Sequence, residues 1–198
     1  MLRVGLTGGL ASGKSFIAEA LEGLGCHLIR ADELGHRTLE PGGEAYPGVL
    51  AEFGGGILKE NGEIDRRKLA AEVFDNPERL AVLNRFVHPA VRRMEEESMA
   101  AFFARDPGGI AVVEAAILVE TGSHRRFDRL IVAACNEERQ VERAMHRGLS
   151  REEAMARLRR QMPLAEKAAV ADYVIDTSGS KESTLAQTRA VFESLRSR

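Results

Sequence analysis

Residues 8–15 read Gly8-Gly9-Leu10-Ala11-Ser12-Gly13-Lys14-Ser15, the order G-x-x-x-x-G-K-S/T of a loop that holds phosphate with its backbone. Ahead of it, Leu2-Arg3-Val4-Gly5-Leu6 is short and apolar, as a buried strand is. Behind it, Ile17, Leu21 and Leu24 recur at i, i+4 and i+7, the inner stripe of a helix. Strand, glycine loop and helix in that order predict an α/β fold with a nucleoside triphosphate at the loop.

Each residue type has a chemical reason. Gly8 and Gly13 carry no Cβ and tolerate positive φ, so backbone N–H groups converge on phosphate oxygens. The N-terminus of the next helix adds a partial positive charge. Lys14 is expected to reach the β- and γ-phosphates, and the Ser15 hydroxyl to ligate Mg²⁺. Gly9, Ala11, Ser12 and Phe16 complete the expected ATP-binding stretch.

A chain of 198 residues suits one α/β domain with small inserted subdomains. Hydrophobic residues at 44% and charged residues at 29% match a soluble globular protein, and a net charge of -2 leaves no overall footprint for nucleic acid or membrane. Cys26 and Cys135 each lie in an apolar stretch, the pattern of small core residues in a reducing compartment rather than of a disulfide framework. No run of 18 apolar residues occurs, and Met1 opens directly into the first strand. The expectation is a cytoplasmic protein without signal peptide or membrane span, as a monomer or small homo-oligomer.

Strand-like segments recur at Arg3–Leu6, Cys26–Arg30, Ile110–Ala115, Arg129–Ala134 and Tyr173–Ile175, with helical patterns between them. The second and third are separated by about 80 residues with almost no strand signal. Within that stretch Asn61-Gly62 is a turn signal, Asp65 is placed to cap a helix carrying Leu69 and Val73, and Asn76-Pro77 starts another through Leu80, Leu83 and Val87. A third helix is expected through Val91 and Met94 until Asp106-Pro107. So much helix between two strands predicts a helical subdomain at the carboxyl edge of the sheet, where doubly wound folds bind ligands.

The stretch from Arg139 to Arg160 holds seven arginines against three glutamates, without aspartate or lysine. Arg139, Arg143 and Arg147 share a helix face, Gly148 is placed to end that helix, and Ser150-Arg151-Glu152-Glu153 forms a capping box for the next. Two short helices with an arginine stripe suit a lid that closes on phosphates. A solvated surface helix with i,i+4 pairs is the plainer alternative.

Other loop-bearing classes fit less well. Asp32-Glu33-Leu34-Gly35 imitates a GTPase D-x-x-G element, but begins only 18 residues after Lys14, and no guanine-reading N-K-x-D occurs. A motor-type ATPase would end a strand in Asp-Glu, whereas Val112-Val113-Glu114 lacks the aspartate. Asp32 follows the second strand, where a carboxylate accepts or orients the proton of an attacking hydroxyl, or binds Mg²⁺ through water. The same residue is also placed to be a helix N-cap. Together these features favour a small-molecule kinase.

Several segments resemble the dephospho-coenzyme A kinase family over nearly the full chain. Gly5 to Ser15 is similar to its G-L-T-G-G-I-G-S-G-K-S, and Ala31-Asp32 to the end of its D-A-D. Phe53-Gly54 and Asn61-Gly62-Glu63-Ile64-Asp65-Arg66-Arg67-Lys68-Leu69 resemble F-G and D-G-x-I-D-R-x-x-L. His88-Pro89 resembles H-P, and Glu120-Thr121-Gly122 the end of P-L-L-F-E-T-G. Gln140, Arg143, Arg147 and Gln161 fall on its lid positions, and Ala171 to Ile175 on A-D-x-V-I.

The resemblance implies transfer of the ATP γ-phosphoryl group to the ribose 3′-hydroxyl of dephospho-CoA. It also implies a core of five parallel strands flanked by helices, a helical acceptor (CoA) subdomain and an Arg-rich lid. By position, Asp32 is the base or orienting carboxylate, Lys14 and Arg143 stabilise the moving phosphoryl, and Arg147 lies near the nucleotide. Arg66, His88 and Glu120 become candidates for acceptor recognition or for shaping its pocket. The expected organisation is one kinase domain over 1–198. Its core sheet comes from 1–32, 108–136 and 170–198, its acceptor subdomain from 37–105 and its lid from 138–168.

Departures are local. Ala116-Ile117-Leu118-Val119 replaces P-L-L-F, Glu114 stands where aspartate is common, and Asp176-Thr177-Ser178 replaces a usual D-N-S, so a hydroxyl stands where an amide is expected. Two rivals share the loop: a kinase for a nucleoside, nucleotide or shikimate-like acceptor, differing between Arg37 and Arg105, and a nucleotide-binding switch or regulatory ATPase with no acceptor.

Overall fold

Short runs of Val, Ile and Leu between helical segments cannot bury both faces alone, and they do so here by pairing side by side under helices. A computed structural model describes residues 1–197. In chain order the elements are β1 (Leu2–Gly8), α1 (Lys14–Gly23), β2 (His27–Arg30), α2 (Ala31–Thr38), α3 (Tyr46–Phe53), α4 (Arg66–Val73) and α5 (Pro77–Arg105). Then follow β3 (Ile110–Glu114), β4 (Arg129–Ala134), α6 (Glu137–His146), α7 (Arg151–Arg159), α8 (Leu164–Ala169), β5 (Tyr173–Asp176) and α9 (Lys181–Arg196). The expected strands all form, with ends within two residues of the sequence reading.

The sheet is five-stranded and parallel, in the order β2-β3-β1-β4-β5. The first strand is therefore central, and Val4 and Leu6 are fully buried. Its register pairs Leu6 with both Glu114 of β3 and Ile131 of β4, and Gly8 with Ala133. Glu114 is thereby brought beside the strand that feeds the glycine loop.

Two compact units divide the chain, one of Met1–Ile29 with Ala101–Arg198 and the other of Arg30–Ala100. The core of the first packs Ile17, Ala18 and Leu21 of α1 and Phe192 and Leu195 of α9 on Val4, Leu6, Val112, Ile131 and Ile175. Each of the larger side chains, the alanine aside, contributes about 1.5–3 kcal/mol through burial. This layer fixes α1, and hence the loop before it, against the sheet.

The second unit has its own core of Ala45, Val49, Ile57, Ile64, Leu69 and Ala90, flanked by Leu83, Phe86 and Val87. Gly48 is required there, since a Cβ at that position would lie 2.5 Å from the Phe86 ring. The Asn61-Gly62 turn forms as expected: Gly62 has φ 81°, Leu58 bridges Ile64, and the Tyr46 hydroxyl donates to the Gly62 carbonyl at 2.6 Å. The Asp65 carboxylate caps α4, accepting from the N–H groups of Arg67 and Lys68.

One helix expectation is corrected. The sequence suggests two helices meeting near His88-Pro89, but α5 runs unbroken for 29 residues with Pro89 inside it. Proline there has no N–H for the Arg85 carbonyl and crowds it. Apolar burial on both sides, by Leu83, Phe86 and Val87 before and Ala90 and Met99 after, carries the helix through. No described helix is long and apolar enough to cross a membrane.

Candidate active site

The loop between β1 and α1 closes on itself tightly. A Cβ on Gly8 would lie 2.6 Å from Ser12 Oγ and 2.7 Å from the Ala133 carbonyl, so only glycine passes there. Gly13 adopts φ 84° as the N-cap of α1, with no side chain capping the helix, which leaves the first N–H groups of α1 to a ligand. Ala11 has φ 50°, a left-handed conformation uncommon outside glycine. The Ser12 hydroxyl is buried in the loop without a hydrogen-bond partner among the described residues.

Lys14 folds back so that Nζ donates to the Gly9 carbonyl at 3.2 Å. Ser15 Oγ donates to Glu114 Oε1 at 2.9 Å. A hydroxyl and a carboxylate side by side are hard oxygen donors, the type that holds Mg²⁺ together with substrate phosphates. Phe16 lies under the Lys181 ammonium, 5.8 Å from its ring centroid.

The arginine-rich helices pack on this loop. Ala11 and Leu10 join Val141 and Ala144 of α6 and Ala154 and Leu158 of α7 in one apolar cluster. The Ser150–Glu153 capping box forms as read, and Gly148 at φ 91° ends α6. Gln161 Oε1 accepts from the Leu10 N–H at 2.8 Å, and a Cβ on Gly9 would come within 3.1 Å of the Gln140 and Gln161 amides.

The three stripe arginines differ in environment. Arg139 pairs with Glu142 at 2.9 Å on the surface, and Arg147 is exposed at the C-cap of α6. Arg143 turns inward, donating to Thr177 Oγ1 at 3.2 Å and to the Thr177 carbonyl at 2.6 Å. The Thr177 hydroxyl donates in turn to the Ser12 carbonyl at 2.7 Å. One threonine thus joins the glycine loop to Arg143 of α6. Beside it, the Ser178 N–H holds the Asp176 carboxyl below its usual range.

Asp32 and Glu33 lie in the first turn of α2, whose N-cap is Arg30. Asp32 is exposed and is not the cap. Arg66 opens α4 and lines a pocket of about 550 Å³ with His36, Lys59, Glu63 and Arg67. There the Lys59 ammonium, 2.8 Å from Glu63, holds that carboxyl below its usual range. Asp32 and His88 are not among the lining residues of that pocket. His88 sits mid-α5, where burial lowers its pKa and Glu95 opposes the shift.

Glu120 pairs with the buried Lys167 at 2.6 Å. Sequence reasoning missed Lys167, because its partners are distant in the chain and no local spacing announces them. It passed over Glu114 as a substitute aspartate, although a strand ending in a carboxylate beside the loop was the available signal. Thr177 counted there as a hydroxyl good for one hydrogen bond in place of an amide, not as the link between the loop and Arg143.

A family model for dephospho-CoA kinase matches residues 2–183. Dephospho-CoA kinase of Aquifex aeolicus is 42% identical over 195 residues, covering 98% of both chains. TT1252 from Thermus thermophilus superposes with a TM-score of 0.84 at 35% identity, over 98% of this chain and 97% of that one. Dephospho-CoA kinase from Campylobacter jejuni superposes with a TM-score of 0.74 at 28% identity, with the same coverage.

Proposed function

The chain belongs to the dephospho-CoA kinase family, and on that premise we propose that Lys14, Arg143 and Asp32 carry its reaction. The enzyme phosphorylates dephospho-CoA with ATP, giving CoA and ADP. The ribose 3′-hydroxyl oxygen attacks the γ-phosphorus, the bond from that phosphorus to the β,γ-bridging oxygen breaks, and the hydroxyl proton leaves to a base. Little covalent chemistry falls to the protein. Its work is positioning and charge stabilisation.

In this reading the N–H groups of Gly9 to Ser15 and the α1 N-terminus hold the triphosphate. Lys14 and Arg143 stabilise charge on the moving phosphoryl, and Arg147 lies near the nucleotide. Asp32, directly after β2, takes or orients the acceptor proton. Arg66 and His88 contact the acceptor, while Glu120, engaged by Lys167, shapes its pocket. Residues 37–105 act as the acceptor subdomain and 138–168 as the lid.

Mg²⁺ fits the Ser15–Glu114 oxygen pair, and when bound it neutralises phosphate charge. Buried free thiols at Cys26 and Cys135 support a reducing, cytoplasmic setting.

The single observation that carries the assignment is that Lys14 and Arg143 are both engaged on one loop, Lys14 through Gly9 and Arg143 through Thr177 and Ser12. ATP turnover with and without dephospho-CoA, with the product identified by mass, tests the reaction. ADP and CoA formed together only with acceptor is the expected result. Hydrolysis independent of acceptor would reassign the protein as a nucleotide hydrolase.

A further inference from the structure

Lys167 of α8 is 1% exposed. A buried ammonium is disfavoured unless it is paired and hydrogen-bonded, and this one is both. Its Nζ lies 2.6 Å from Glu120 Oε1 and donates to the Ala116 carbonyl at 3.2 Å. That carbonyl also accepts from Thr7 Oγ1 at 3.1 Å, and Thr7 is the fully buried residue just before Gly8. One cation therefore ties together α8, the turn after β3 and the last step of β1 before the glycine loop.

What hangs from α8 gives this knot its meaning. Only Arg160 to Pro163 separate α8 from α7, and within that connection Gln161 holds the Leu10 N–H of the loop. Apolar side chains of similar volume in place of both Lys167 and Glu120 would fill the space as stably. They would not fix the direction of α8, whereas an ammonium with two oxygen partners does.

We propose that Lys167 is a positioning residue of the kinase reaction: it fixes the root of the lid to the sheet edge, so that the closed lid keeps water from the γ-phosphoryl group. The inference rests on reading residues 138–168 as a lid. Without the anchor, the phosphorus–oxygen bond to the leaving ADP still breaks, but water more often supplies the new oxygen, giving ADP and inorganic phosphate.

The test separates anchoring from plain stability. Lys167→Met alone leaves Glu120 unpaired and lowers Tm. Lys167→Met with Glu120→Gln removes the whole pair, so most of the Tm returns. Measured well below Tm, the double variant is expected to lose roughly ten-fold in kcat, as small misplacements do, and to raise phosphate released per CoA formed several-fold. Wild-type kcat and phosphate release in the double variant would overturn the proposal.

Should the double variant stay unstable, Thr7→Val decides, since it removes a bond to the same carbonyl without touching charge. More phosphate per CoA supports the anchor, and an unchanged ratio overturns it. Gln161→Ala probes the lid reading by itself. An unchanged ratio there, beside a raised ratio in the double variant, would mean that Lys167 acts on the loop through the packing of α6 and α7 rather than through Gln161.

Discussion

Arg143 is held by both oxygens of Thr177, at 3.2 Å to the hydroxyl and 2.6 Å to the carbonyl, while that hydroxyl donates to the Ser12 carbonyl at 2.7 Å. Arg143 of α6 and the glycine loop therefore share one small side chain. Thr177 also makes a close wall for Gly13, whose Cβ would lie 3.3 Å away. An asparagine at this position would bring an amide where the hydroxyl stands. The threonine instead spends its single hydroxyl on internal register.

Thr177→Val keeps the shape and removes the hydroxyl. Its kcat/KM for ATP is expected to fall about ten-fold, the worth of one hydrogen bond to a charged group. Thr177→Ser, which keeps the oxygen, should recover most of it. Steady-state kinetics of both variants check this, and a valine variant at wild-type level would mean the Thr177 carbonyl and Cys135 Sγ hold Arg143 without the hydroxyl.

Lys14→Ala and Arg143→Ala each remove a positive charge assigned to the moving phosphoryl. Each is expected to lower kcat by about 10²–10³-fold, as loss of one transition-state donor does. Circular dichroism should stay native, because Lys14 makes its bond to a loop carbonyl and Arg143 is half-buried beside a loop. Near-normal turnover in either would remove that residue from the mechanism.

The fold was legible because its decisive signals are local. The loop motif, the capping box at Ser150 and the turn at Asn61-Gly62 each fix backbone within a few residues, and the strands are apolar enough to stand out. Pro89 misled for the same reason: its local chemistry breaks helices, and only burial on both sides overrides it. The site was half legible. Lys14, Ser15 and Arg143 announce themselves by type and spacing, but Glu114, Thr177 and Lys167 act through partners brought near by the sheet. Ala11 marks the limit in another way. Its φ of 50° suits the glycine of the family motif, yet its methyl group packs on α6 and α7, a trade invisible until those helices are in place.

Glu114→Gln tests the residue that the sequence undervalued. The amide still accepts from Ser15, but it lacks the charge that a hard cation prefers. The Mg²⁺ concentration for half-maximal activity should rise several-fold, with kcat at saturating Mg²⁺ much less affected. A magnesium titration at fixed ATP reads this directly, and an unchanged midpoint would leave Glu114 as a structural partner of Ser15.

Asp32 sits in the first turn of α2, where any carboxylate gains from the helix dipole. Stability and catalysis must therefore be separated. Asp32→Asn keeps the shape and should cost little stability, yet lower kcat by about 10²-fold or more if the carboxylate handles the acceptor proton. KM for ATP should hardly move. An unchanged kcat would reduce Asp32 to a helix-terminus charge.

His88 supplies the pH signature. Burial lowers its pKa below the ordinary 6.5, with Glu95 pulling the other way, and His27 is lowered as well, by burial and then by Arg105. The unfolded chain therefore binds these protons more readily than the native one. Stability from this source is complete above pH 6.5 and is lost as pH falls toward the native values. The urea midpoint should decline on acidification from pH 7.5, and His88→Gln should flatten that slope, further so with His27→Gln. In the acceptor role proposed for His88, a neutral ring also dictates the contact. It offers one donor and one acceptor rather than a positive charge, so kcat/KM for dephospho-CoA should not improve as pH drops from 7.5 to 6.5. An acid-side gain that vanishes in His88→Gln would show that the imidazolium, against its desolvation, is the form that binds.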